Sequence, residues 1–163
     1  MSTDRSTARE QLPSLALLFF LLAGFVILSQ HNYLLFHSLA ELFSIVIAAG
    51  MFIIAWHARA YFQNNYLLFV GIAYLFVALL DTLHTLAYKG MGVFTTFDDN
   101  NLPPQIWIVA RYMESLSLLT APAFLTRRLR PGLAILGYTA VTTLALLTLL
   151  YWRVFPDCFV TGQ

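Results

Sequence analysis

Six ionisable residues stand in three close pairs along this 163-residue chain: His37 with Glu41, Asp81 with His84, and Arg111 with Glu114. The spacings are four, three and three residues, so on helices each pair would share one face. These residue types open three kinds of chemistry. Two imidazoles with carboxylates form a donor set for zinc, copper or iron, with His37, His84, Glu41 and Asp81 as the candidate metal ligands. Two histidines on facing helices could instead ligate a haem b. The third option is a hydrogen-bonded network that senses protons or a small ligand, with histidine as the switch. Glu41, Asp81, Arg111 and Glu114 are then the ligand-binding candidates. Arg111 can pair bidentately with Glu41, Asp81 or Glu114, in a role that competes with a purely structural ion pair fixing helix register. Tyr74 and Tyr88 share the Asp81/His84 face by helical spacing, and Tyr88 is the candidate for a supporting hydrogen bond.

The elements that must carry these groups are transmembrane. The chain is 60% hydrophobic and 10% charged, with a mean hydropathy of +0.74. A soluble domain carries about 25% charged residues, so there are too few charges here to cover a water-facing surface. The same figures exclude a disordered chain. A single cysteine, Cys158, excludes a disulfide scaffold. A net charge of +1 gives no bulk attraction to nucleic acid. Uncharged runs separate Glu10 from Glu41, Arg59 from Asp81 and Arg130 from Arg153. Five spans follow, at about Leu12–Ser29, Leu34–Trp56, Tyr66–Tyr88, Pro104–Leu125 and Leu133–Trp152, each near the ~20 apolar residues that cross a bilayer. The first lacks an A-x-A site and is read as a retained span rather than a cleaved leader. The predicted fold is therefore an all-α, polytopic transmembrane helical bundle, one membrane-embedded domain over residues 1–163.

Basic residues gather on alternate sides of these spans: Arg5 and Arg9, then Arg59, then Arg127, Arg128 and Arg130. The positive-inside rule makes the N-terminus cytoplasmic. An odd span count then puts the segment after Trp152 outside, and a cytoplasmic output domain would need a further crossing. At ~1.5 Å rise per residue, Glu41, Asp81 and Arg111 each lie about 10 Å from the outer ends of their spans. Three helices thus bring their charges to one layer in the outer half of the membrane, where ionisable groups are costly unless paired and point to function. His57 falls at the inner boundary and His31 in an outer loop, and the tyrosines and tryptophans near span ends form an interfacial belt.

No P-loop, G-x-S-x-G, H-E-x-x-H or Cys-x-x-Cys occurs. Ser115, His84 and Asp81 could be assembled into a triad, but nothing in their context supports a nucleophile, so no catalytic residue is assigned and a non-enzyme is expected. A transporter would show paired Gly/Pro-interrupted helices, which are absent from the sequence.

The run NNYLLFVGIAYLFVALLDTLHTLAYKGMGVF (Asn64–Phe94), the segment LPPQIWIVARYMESLSLL (Leu102–Leu119) and the H-x-x-x-E of His37 and Glu41 resemble the third type of bacterial membrane-associated sensor (MASE) domain. The resemblance runs from about Tyr33 to the end and is strongest over D-x-x-H-T-x-A-Y-K-G-M-G. It implies a sensory input module of the bacterial cytoplasmic (inner) membrane, placed N-terminal to a histidine kinase or diguanylate cyclase. The family domain is longer, with more helices, so a truncated C-terminus is expected. The functional expectation is a multi-pass signal-input domain that binds a small ligand, metal or cofactor in its polar layer and signals to a cytoplasmic output domain. A homodimer is among the partners considered. The alternative is a haem- or metal-binding redox membrane protein.

Overall fold

The computed structural model describes residues 3–61, 64–97 and 100–158, with side chains described from Leu12 onward. Among these residues there are five α-helices and no strand: α1 (Thr3–His31), α2 (Tyr33–Ala58), α3 (Asn65–Ala87), α4 (Leu102–Thr120) and α5 (Pro131–Leu146). The fold is all-helical, as the sequence predicts. Four segments are long and apolar enough to cross a membrane: Leu12–His31, Tyr33–Ala58, Asn65–Ala87 and Pro131–Tyr151. The fourth expected span is a helix but does not meet that measure, because Arg111 and Glu114 lower its hydropathy. It also stops sooner than expected. Pro122 has no N–H for the next helical bond, so α4 ends at Thr120 and tightens into a 3₁₀ turn, Ala121–Leu125. α5 loosens instead into a π turn, Leu147–Tyr151, closed by Trp152 N–H to Leu147 O at 2.9 Å.

Helix starts follow local sequence. Asn64 caps α3 by accepting from Leu67 N–H at 3.1 Å, and Asn32 does the same for Leu35 N–H at 3.0 Å. Prolines open α4 and α5, where a missing N–H costs nothing. Hydroxyls inside the helices bond back to their own backbone, for example Thr82 to Ala78 O and Thr85 to Asp81 O. A bilayer offers no water to do this job.

The chain divides into two compact units. In Met1–Ala40, α1 leads through Asn32 into the first turns of α2, and Phe25 meets Phe36 edge-on at 5.9 Å. Leu12, Phe19 and Phe20 are among many exposed apolar side chains here. In Glu41–Gln163, α3 is the central element and is buried almost all round its N-terminal half. α4 and α5 pack on it, with Ile72, Leu80, Ile106 and Ala110 fully enclosed. Phe69 stacks on Phe124 at 4.4 Å and Phe76 on Tyr138 at 5.5 Å. The rest of α2 meets α3 at Gly71, where a Cβ would come within 2.5 Å of Ala55 Cβ and 3.3 Å of Met51 O. Such small-residue contacts let membrane helices approach closely.

Candidate functional site

The charged layer within Glu41–Gln163 resolves into two adjoining groups. The first centres on Arg111, in the middle of α4. Its Nη2 donates to both Asp81 carboxylate oxygens, at 2.8 and 2.7 Å, and its Nη1 donates to Glu114 Oε2 at 2.6 Å. Tyr74, two turns before Asp81 on α3, donates its hydroxyl to the other Glu114 oxygen at 2.8 Å. Asp81 is 1% exposed and Arg111 about a third exposed, so the carboxylate is the deeply enclosed partner. A cavity of about 290 Å³ adjoins them, lined by Ser44, Ala48, Tyr74, Asp81, Arg111 and Glu114 among others.

The second group is His84 with Glu41. His84 Nδ1 lies 2.9 Å from Pro103 O. A carbonyl can only accept, so Nδ1 carries the proton, and in the neutral ring Nε2 is the basic nitrogen. That nitrogen lies 3.9 Å from Glu41 Oε1. An imidazole held through its far N–H by a backbone carbonyl is the usual arrangement around a metal-ligating histidine. A cation with bonds of ~2.1 Å to nitrogen and oxygen would be bound tetrahedrally if the two atoms closed to about 3.4 Å, roughly half an ångström from where they stand.

Two bonds tie α3 to α4 at two heights: Asp81 to Arg111, and His84 to Pro103 at the start of α4. Asp81 and Arg111, which residue counting sets at similar distances from the ends of their spans, pair directly. The two groups together hold one guanidinium and three carboxyl groups, Glu41, Asp81 and Glu114, of which Arg111 engages two.

Of the other candidates, Tyr88 caps α3 and meets His84 edge-on, with ring centroids 6.4 Å apart. His37 lies in the first unit, half-buried and stacked on Tyr33 at 6.1 Å. Arg111 takes Asp81 and Glu114 from the three carboxylates that spacing offered it. Tyr74 was visible as a face-sharing residue, but its bond to Glu114 was not. Pro103 contributes a backbone atom, which residue type cannot announce. Also unforeseen were Gln105 Nε2, which donates to Pro156 O at 2.9 Å, and Asn101 Oδ1, which accepts from Cys158 N–H at 2.9 Å. Both tie the segment after α5 back to the start of α4.

Four helices of membrane-spanning length and an ion network enclosed between α3 and α4 define the class: a helical, membrane-associated domain. Its sequence matches the membrane-associated sensor domain, MASE3, over residues 28–163. The chain belongs to that family, and the expected resemblance is borne out. No curated protein and no solved structure matches it.

Proposed function

We propose that this chain is the input module of a multi-pass signalling protein of the bacterial cytoplasmic membrane, and that its signal is a cation taken up between Glu41 and His84. A divalent transition metal, zinc first, is the ligand class that suits one imidazole nitrogen and a carboxylate. The carrying observation is the pairing of His84 Nε2 with Glu41 at 3.9 Å while Nδ1 is committed to Pro103 O. The excess of carboxyl groups over guanidinium in the two groups supports a cationic ligand over an anionic one. Membership of the sensor family supports an input role, with a kinase or diguanylate cyclase as the output on the cytoplasmic side.

Zn²⁺ titration of the detergent-purified chain, read by metal analysis after desalting, tests this. One zinc per chain is expected, lost in H84A and in E41Q, with helix content unchanged. Retention of zinc in both variants, or no zinc in the parent, overturns the proposal. An absorption spectrum of the same sample separates the redox alternative, since haem gives an intense Soret band.

A further inference from the structure

At the opposite end of the second unit from His84, the C-terminal part of α2, the start of α3 and the 3₁₀ turn enclose an apolar groove. Its volume is about 800 Å³, and its walls include Met51, Ile54, Ala58, Leu67, Phe124 and Leu125. That size lies within the ~300–1,000 Å³ range of sites that take a ligand of several rings or a long chain. The groove is hollow because its floor is made of small residues: Ala55 and Gly71 touch there. Its rim is polar, with Tyr61, Asn64 and Asn65.

Within the second unit, the charged residues of the segments around that end are all of one sign. Arg59 follows Ala58 directly, its guanidinium 3.8 Å over the Trp56 ring and bonded to Trp56 O. Arg127 N–H closes the 3₁₀ turn on Ala123 O at 3.2 Å, and Arg128 and Arg130 follow it. All four arginines are exposed. No Asp or Glu occurs between Arg59 and Asp81, or between Glu114 and Asp157. Uncompensated positive charge beside an apolar groove at helix ends complements one chemistry: a negative head on a hydrocarbon tail. Basic sites between helices on the cytoplasmic side of a membrane hold such head groups.

We infer that this groove is a binding site for an anionic phospholipid, with an acyl chain along Ile54, Leu67 and Phe124 and the phosphate among Arg59, Arg127, Arg128 and Arg130. The site is separate from the Glu41/His84 pair and does not depend on the cation reading. A lipid seated there would bridge α2 to the turn after α4, so it would bear on the α2–α3 contact at Gly71.

The test uses the full chain, purified in mild detergent and titrated with phosphatidylglycerol or phosphatidylcholine of identical acyl chains, read by native mass spectrometry. One phosphatidylglycerol should be retained at least about tenfold more tightly than phosphatidylcholine. The R127Q/R128Q/R130Q variant, altered only at exposed positions, should weaken retention roughly a hundredfold, at about fivefold per arginine. A58W fills the groove, leaves every charge in place and should also lose the lipid. Equal retention of the two lipids, or unchanged phosphatidylglycerol binding in the triple variant, overturns the inference. So would full competition by glycerol phosphate, which has no acyl chain, or a chain dimer that covers the groove and holds no lipid.

Discussion

Replacing Arg111 with Gln keeps a polar side chain of similar reach but removes the charge. Asp81, 1% exposed, then loses both of its bonds from Nη2. Breaking a buried pair from one side costs about 3–5 kcal/mol. A second route gives a ceiling. A stranded carboxylate can always take up a proton, and from an ordinary pKa of about 3.9 this costs about 4 kcal/mol at pH 7. The two figures agree, so R111Q should lose about 4 kcal/mol. Protonation becomes cheaper as pH falls, so the deficit should shrink by about 1.4 kcal/mol per unit towards pH 5. D81N is the contrasting change. It leaves Arg111 about a third exposed and still bonded to Glu114 at 2.6 Å, so a loss of about 1–2 kcal/mol is expected. The double variant D81N/R111Q no longer strands the enclosed carboxylate at Asp81, although the more exposed Glu114 still loses its bond from Arg111, so it should recover a good part of the R111Q loss. The assay is reversible unfolding in mixed micelles of a mild detergent and SDS, followed by circular dichroism at several pH values. If D81N/R111Q proves as unstable as R111Q, or if R111Q shows no relief on acidification, Asp81 is not the group that Arg111 neutralises.

Two further outcomes follow from other parts of the chain. G71A should destabilise, because its Cβ would meet Ala55 Cβ at 2.5 Å; G50A, with nothing within 4 Å, should gain up to about 1 kcal/mol from helix propensity, and the same unfolding assay ranks them. Cys158 is the one cysteine, exposed beyond α5, and a membrane-impermeant maleimide should label it from outside intact cells if the N-terminus is cytoplasmic. Local burial, and then Asp157, push its thiol up, so labelling should be slow at neutral pH and quicken as pH rises, and D157N should speed it.

The helices and the charged layer were legible because the bilayer makes both costly to hide. Long uncharged runs can be little else than spans, and Asp81, His84, Arg111 and Glu114 stand out against them by type alone. Helical spacing then put each pair on one face, and counting residues from span ends put Asp81 level with Arg111. Spacing could not decide which carboxylate Arg111 takes, because Glu41, Asp81 and Glu114 all lay within its reach. That choice depends on how α4 rotates on α3, which is set by enclosed neighbours such as Ile106 and Ala110. The bond from His84 to Pro103 O was invisible for another reason: every residue has a carbonyl. The end of α4 was legible in principle, since Pro122 marks it, but an apolar run continuing to Leu125 obscured the break.

On the proposed reading, the locked and unlocked contacts divide the work between helices. α3 and α4 are pinned twice, by Asp81–Arg111 and by His84–Pro103. Glu41 on α2 stands 3.9 Å from His84, and towards its C-terminal end α2 meets α3 again around Gly71, through Met51, Phe52 and Ala55. A cation would therefore draw α2 towards a fixed α3–α4 pair. Simple leverage delivers almost nothing: Glu41 lies about 21 Å from Ala55 along the helix, and Ala58 only about 4.5 Å beyond it. A closure of about half an ångström at Glu41 would move Ala58 by about 0.1 Å, less than thermal motion. A useful signal thus requires two discrete packings of α2 on α3, with the cation binding one more tightly than the other. Gly71 is where those packings would differ, because it has no side chain to hold a single register and its neighbour is another small residue. On the lipid proposal, the groove beside it would give that end of the helices its own means of favouring one packing. A lipid there and a cation at Glu41 would then be coupled through the α2–α3 contact, each altering the other's affinity by the same factor.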